Sequence, residues 1–281
     1  MSSLRTLLKL LGTGFTHDQY YESMNMSLKR LNNEYTMLHY PLYAKETDSF
    51  IQAQKNLTDY CISLLLPIEN KEILEIGCGN GVQAMYINSV YNPLRITGID
   101  LNKGNIEIAK SEKERANINN VKFLIGDAQN LTQISSESID VLLNIESAFH
   151  YPDKSAFIRE VTRVLKPGGQ FLIADILSTR KKREGIMKIF GKPRDHNFWN
   201  RNRYDEEFLN SGLEIKHIED ISQQVRNGWN KYQNWLPKIK RKMFFQNMIF
   251  RMFYVINVRL YIYLLRTRQQ YIIFVGNKSL L

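Results

Sequence analysis

The sequence predicts an α/β protein: an open, mostly parallel seven-stranded sheet with helices packed on its faces. Three observations predict it. From Lys71 onward, short apolar runs alternate with longer amphipathic ones at the spacing of strand–helix–strand units. Four of those runs close on a polar or glycine-rich step, namely Glu75-Ile-Gly-Cys-Gly-Asn-Gly81, Asp100, Gly126-Asp127 and Asn144. The length, 281 residues with 43% apolar content, suffices for one substantial core with an added lobe.

Residues 1–70 read as helical, punctuated by Tyr20, Tyr21, Tyr35, Tyr40 and Tyr43, with a last helix over 58–66 stopped by Pro67. Strands follow at 73–76, 95–99, 121–125 and 139–143, with helices at 82–90, 102–115 and 153–165 between or after them. Leu165-Lys-Pro-Gly-Gly169 turns the chain into a fifth strand ending near Asp175. Lys181-Lys182-Arg183 and Pro193 disfavour a strand, so 178–212 reads as a basic loop with helices. Strands six and seven read as 213–221 and 271–275, separated by a long helical insertion over 221–268. The expected organisation is an N-terminal helical cap (1–70), a ligand-binding core (71–180) and the rest of the sheet with a basic, aromatic helical cap (181–281).

In an open parallel sheet, ligands bind beyond the carboxyl ends of the strands, where strand order reverses. Gly77, Gly79 and Gly81 permit a tight strand-to-helix turn that a ligand can approach closely. Asp100, nineteen positions after Gly81, stands where a carboxylate accepts both hydroxyls of a ribose, and Asp127-Ala128 one strand further out is within reach of an adenine amine. The spacing is G-x-G-x-G rather than the dinucleotide G-x-G-x-x-G, and Glu75 two residues ahead would repel a pyrophosphate but suit an ammonium or sulfonium. No G-x-x-x-x-G-K-[ST] occurs, which disfavours a phosphate-cradling NTPase. The ligand that fits is S-adenosyl-L-methionine.

With these motifs the segment from Lys71 to Leu177 resembles the Rossmann-like class I S-adenosylmethionine-dependent methyltransferases. The resemblance implies that Gly77, Gly79 and Gly81 wrap the methionine end, Asp100 holds the ribose, Leu101 flanks adenine and Asp127 with Ala128 meets its amine. Asn144 and Glu75 would contact the methionine part, and Cys78 is a small packed residue between the glycines. The stretch Asn144 to Pro152, with Thr97-Gly-Ile-Asp-Leu-Asn102 and Gly126-Asp-Ala-Gln-Asn-Leu131, most resembles the phthiotriol and phenolphthiotriol dimycocerosate methyltransferases. That resemblance implies O-methylation of a hydrophobic lipid alcohol. In it, the family's histidine falls on Phe149, with His150 one place on.

Methyl transfer from a sulfonium is an in-line displacement requiring no metal, so the protein must align the partners and, for a hydroxyl, remove a proton. The loop after strand four, Asn144-Ile-Glu146-Ser-Ala-Phe-His150-Tyr151-Pro152-Asp153, faces the methyl group in the family. His150 is the expected base, since an imidazole titrates near neutrality. Asp175 is expected to bond its other ring nitrogen, as in some natural-product sugar O-methyltransferases. Glu146 is the rival, as base or as anchor for a cationic acceptor. Carbon methylation of a prenyl or quinone-type acceptor is the alternative. Nucleic-acid modification is disfavoured, because no Asn-Pro-Pro-Tyr-like motif or Pro-Cys nucleophile is present; a non-catalytic module that binds the cofactor also stays open.

Net charge is +10, unevenly placed: 17 basic and 20 acidic residues through Thr179, then 21 and 8. No acid follows Asp220, and the apolar, aromatic stretch 243–265 carries only Arg251 and Arg259. It fits a core helix with a basic outer face, a surface lying on anionic lipid, or a nucleic-acid contact. Two scattered cysteines, Cys61 and Cys78, give neither a disulfide framework nor a zinc site. Arg5 and Lys9 break the apolar run of a signal peptide, and no stretch is long and uncharged enough to span a bilayer. A cytoplasmic enzyme is expected, peripheral at the inner membrane if the basic segment touches lipid, with a homo-oligomer possible.

Overall fold

The computed structural model describes residues 17–65, 67–179, 197–235, 259 and 262–280. Strands β1 (Glu72–Ile76), β2 (Arg95–Asp100), β3 (Val121–Ile125), β4 (Ile139–Ile145), β5 (Leu165–Ser178), β6 (Leu213–Asp220) and β7 (Gln269–Lys278) form one sheet in the order β3-β2-β1-β4-β5-β7-β6. The first five run parallel; β7 is antiparallel to both β5 and β6. Strand order reverses between β1 and β4, which makes the crevice outside their carboxyl ends the natural ligand site.

Helices α1 (His17–Asn32), α2 (Phe50–Ser63), α3 (Val82–Tyr91), α4 (Lys103–Arg115), α5 (Lys154–Val164), α6 (Arg201–Asn210) and α7 (Ser222–Trp235) cover the sheet. Alternation along the strands builds two cores. Ile73 of β1 joins Leu57, Ile62, Ile87, Ile106 and Val225 on one face, while Leu74 and Ile76 join Phe157, Val161, Tyr204 and Phe208 on the other. Both sheet faces are buried, as parallel sheets require.

Sequence expectations and structure agree within a few residues for the central strands and helices. The starts of α4 and α5 are set by side-chain caps: Asn102 accepts from the amide of Asn105, and Asp153 from that of Ala156. The N-terminal part departs from expectation. Residues 33–49 are not helical, and α2 begins at Phe50 on a Ser49 cap rather than at 58. The reason is a polar helix face that anchors the extended segment: Gln54 Nε2 donates to the carbonyls of Met37 (2.6 Å) and His39 (2.8 Å), and Asn56 Nδ2 to that of Leu42 (3.0 Å). Of the expected insertion between β6 and β7, α7 and helical backbone at 262–267 are described. The basic run Lys181-Lys182-Arg183 and most of the stretch 243–265 lie outside the described residues.

Candidate active site

β1 delivers the chain into a turn whose first glycine has no substitute. Gly77 has φ +73°, and a Cβ there would lie 2.2 Å from Ser147 Oγ, so the loop after β4 presses directly on the turn. The amides of Gly77 and Cys78 both donate to the Ile99 carbonyl (2.7 and 3.1 Å), tying the turn to β2. Asp100, at the tip of β2, accepts from the amides of Gly79 and Asn102, each at 2.8 Å. Two charge-assisted bonds hold its carboxylate over the turn. Gly81 has φ +77° and packs against Phe123 and Ala109, set back from the turn's open side.

Glu75 is buried behind the turn, and its Oε2 has no hydrogen-bond partner among the described residues. Burial first, and the nearby Asp100 second, push its carboxyl up to about 8. An orphaned buried carboxyl oxygen beside a glycine turn fits a ligand that brings positive charge. Burial, with Asp100 and Glu75 close by, holds the Cys78 thiol well above its ordinary value, so it is a packed thiol rather than a nucleophile.

A cavity of about 500 Å³ runs across these strand tips. Asp100, Leu101, Asp127 and Ala128 line it at the β2–β3 side, Gly77, Cys78 and Gly79 in the middle, and Glu146, Ser147, His150 and Tyr151 beyond β4. Leu101 is 68% exposed on the rim, and Asp127 Oδ1 is held by both the amide and the side chain of Gln129 at 2.9 Å. Asn144 is set back from the wall. Its fully buried amide lies within bonding distance of the Ile76 carbonyl (3.0 Å), Ser147 Oγ (2.7 Å) and Tyr151 OH (2.9 Å), so Ser147 and Tyr151 stand between it and the cavity.

His150 lies on the cavity wall at the end of a short 3₁₀ turn (Ala148–His150), with Nε2 2.8 Å from the Tyr21 hydroxyl of α1. The expected His150–Asp175 pair is not formed. Asp175 is fully buried and accepts from Lys154 Nζ (2.6 Å) and Tyr204 OH (2.7 Å). Lys154, equally buried and with its pKa lowered chiefly by burial, needs that carboxylate, which leaves the imidazole to Tyr21. Glu146 also faces the cavity. Desolvation raises its carboxyl to about 8, against the hydrogen bond from the Tyr40 amide and the nearby Tyr271 hydroxyl, with a smaller push from Asp175.

The N-terminal cap expected from the sequence supplies the third wall, but its polar anchors were not foreseen. Asp18, Tyr20 and Tyr21 of α1, with Met37, Leu38 and His39 of the extended segment, close the cavity. Buried amides hold α1 there. Asn80, between Gly79 and Gly81, donates to Asn25 Oδ1 (2.7 Å) and the Thr36 carbonyl (2.9 Å), Asn25 donates to Asn105 Oδ1 (2.8 Å), and Asn102 to Asp18 Oδ1 (2.8 Å). An asparagine between two glycines and another inside an otherwise apolar helix face were the available signals. His39 is buried with both nitrogens engaged, on the Tyr40 carbonyl and on Thr58 and Met37, and burial lowers its pKa to about 4.

A family model described as a methyltransferase domain matches residues 68–236. The chain is 36% identical over 126 residues to phthiotriol/phenolphthiotriol dimycocerosates methyltransferase 1 of Mycobacterium ulcerans, covering 45% of each chain. It is 42% identical over 108 residues to a fatty-acid O-methyltransferase of Mycolicibacterium smegmatis, covering 38% of each. The matches thus span less than half the length of these curated relatives. Among solved structures, Haemonchus contortus phosphoethanolamine N-methyltransferase 2 in complex with S-adenosyl-L-methionine shares the fold, with a TM-score of 0.77 at 17% identity over 94% of this chain and 58% of that one.

Proposed function

We propose that this chain, which belongs to the methyltransferase-domain family, is an S-adenosyl-L-methionine-dependent methyltransferase that methylates a hydroxyl oxygen of a hydrophobic small molecule or lipid. The observation that carries the reading is the 2.8 Å contact of Tyr21 OH with His150 Nε2, on the wall of the cavity that Gly77, Gly79 and Asp100 also line. Residues that would bind the donor and one that would accept a proton thus line one space.

Bound S-adenosyl-L-methionine supplies an electrophilic methyl group on a sulfonium. Gly77, Gly79 and Gly81 would shape the turn around its amino-acid end, with Glu75 drawn to the ammonium. Asp100 would take the ribose hydroxyls, Leu101 would flank the adenine, and Asp127 with Ala128 would meet its amine. Asn144 would act indirectly, by fixing Ser147 and Tyr151 under the turn. His150 takes the acceptor's hydroxyl proton through Tyr21: the phenol oxygen accepts that proton while its own passes to Nε2. Alignment is worth roughly 7–11 kcal/mol when attack geometry is well set. The base adds about 10²–10⁴-fold.

Tyr20, Tyr21, Met37 and Leu38 make the wall apolar and aromatic, which suits a hydrophobic acceptor. The names of the two curated relatives point to lipid acceptors. A lipid acceptor would also give the acid-free stretch after Asp220 a role at an anionic membrane surface. Incubation with methyl-tritiated S-adenosyl-L-methionine and separate long-chain alcohols, phenols, fatty acids and amines tests the reading. Label in an ether product of the alcohols or phenols supports it. Label confined to esters, amines or carbon–methyl products contradicts it.

A further inference from the structure

Glu146 occupies the cavity wall with φ +55°, a conformation that costs a non-glycine residue energy and persists where its surroundings enforce it. Both its backbone and its carboxyl are held: the Glu146 amide donates to the Ala174 carbonyl (2.8 Å), and the Tyr40 amide donates to Oε1 (2.7 Å). Behind it stand the buried rings of Tyr40 and Tyr271, 6.1 Å apart, with the Tyr271 hydroxyl beside the carboxyl. Among the described residues, the titratable groups that act on it are Tyr40, Tyr271, Cys61 and Asp175, none of them a cation. Desolvation at this half-buried position raises its carboxyl to about 8, and a carboxyl that holds its proton is a hydrogen-bond donor rather than a base.

We propose that Glu146 is an acceptor-orienting residue, whose carboxyl O–H donates to a second, uncharged oxygen of the acceptor close to the hydroxyl that is methylated. Glu146 and His150 lie four positions apart in one loop and line the same cavity, which brings both to one acceptor. No proton is transferred from Glu146; it selects and aims the acceptor while His150 takes the hydroxyl proton. The inference rests on the reading of the acceptor as a hydrophobic alcohol.

The test uses hexadecane-1,3-diol and 1-hexadecanol in detergent micelles, with methyl-tritiated S-adenosyl-L-methionine, on wild type, Glu146→Ala and Glu146→Gln. Cofactor titration of each variant reports whether it is folded. Loss of one neutral hydrogen bond predicts that Glu146→Ala raises KM for the diol about tenfold more than it raises KM for the mono-alcohol. Glu146→Gln, whose amide can still donate, keeps the diol KM within about threefold at similar kcat. If Glu146→Gln instead lowers kcat by about 10²-fold or more at unchanged KM, Glu146 is the base and the proposal is wrong. Equal losses on both alcohols in Glu146→Ala reduce the residue to a structural role, also against it. If wild type binds the cofactor but methylates neither alcohol, the hydroxyl reading fails and the proposal falls with it.

Discussion

The Tyr21 hydroxyl lies 2.8 Å from His150 Nε2, joining residues 129 positions apart across the cavity. The contact couples the roof helix α1 to the loop after β4, so the candidate base is complete only when α1 is docked. His150→Ala is expected to lower kcat by about 10²–10⁴-fold while leaving cofactor affinity within about twofold. Tyr21→Phe should lower kcat, because the relay from the acceptor hydroxyl to the imidazole is broken, and the pH dependence of kcat should change with it. A Tyr21→Phe enzyme with wild-type kcat and pH profile would remove Tyr21 from the proton path.

Gly77→Ala probes the turn. A Cβ 2.2 Å from Ser147 Oγ at φ +73° forces either the turn or the β4 loop to move, and overpacking of this kind costs about 1–3 kcal/mol. The variant should melt lower and lose cofactor affinity, because the same movement displaces the Gly79 amide that holds Asp100. Thermal melting with and without cofactor measures both effects.

The Lys154–Asp175 pair is expected to be structural. Asp175→Ala leaves a buried ammonium uncompensated and should destabilise the protein by about 3–5 kcal/mol in urea unfolding. Residual enzyme at low temperature should keep the wild-type pH profile of kcat, since Asp175 bonds Lys154 and Tyr204 and not His150. A shifted profile would restore the His–Asp pairing that the sequence suggested.

Stability should fall as pH rises from about 6.5 to 8. Glu75 and Glu146 keep their protons in the folded state up to about 8 but ionise near 4.5 when unfolded, so the folded state binds more protons across this window. By linkage each such group lowers stability by up to about 1.4 kcal/mol per pH unit as pH rises. His39 acts oppositely at lower pH: its folded value is about 4 against 6.5 unfolded, so stability falls as pH drops below 6.5, and the window above that value isolates the carboxyls. Urea unfolding at pH 6.5 and 8 should show the drop, and Glu75→Gln should flatten it. An unchanged slope in that variant would mean Glu75 is ionised in the folded protein.

The sheet was legible because each central strand is an apolar run closed by a residue with a distinct job: the Gly77 turn, Asp100, Asp127, Asn144. Those positions report local requirements of backbone and burial, which sequence records directly. The roof was not legible in the same way. The segment 33–49 is held by side chains of α2 such as Gln54 and Asn56, and Tyr21 reaches His150 only through tertiary packing, so neither leaves a periodic trace. Asp175 was misread for a related reason. Its place at the tip of β5 suggested the imidazole, but the partner that claims it, Lys154, is a lysine that reads as surface until burial is known.

The central claim, one cavity with separable donor-binding and proton-accepting parts, is tested most directly by measuring cofactor affinity and single-turnover methyl transfer together in Asp100→Ala and His150→Ala. The account predicts that Asp100→Ala loses at least about tenfold in affinity, and that His150→Ala binds normally but transfers about 10²-fold or more slowly. Wild-type affinity in folded Asp100→Ala, or wild-type transfer in His150→Ala, would contradict it.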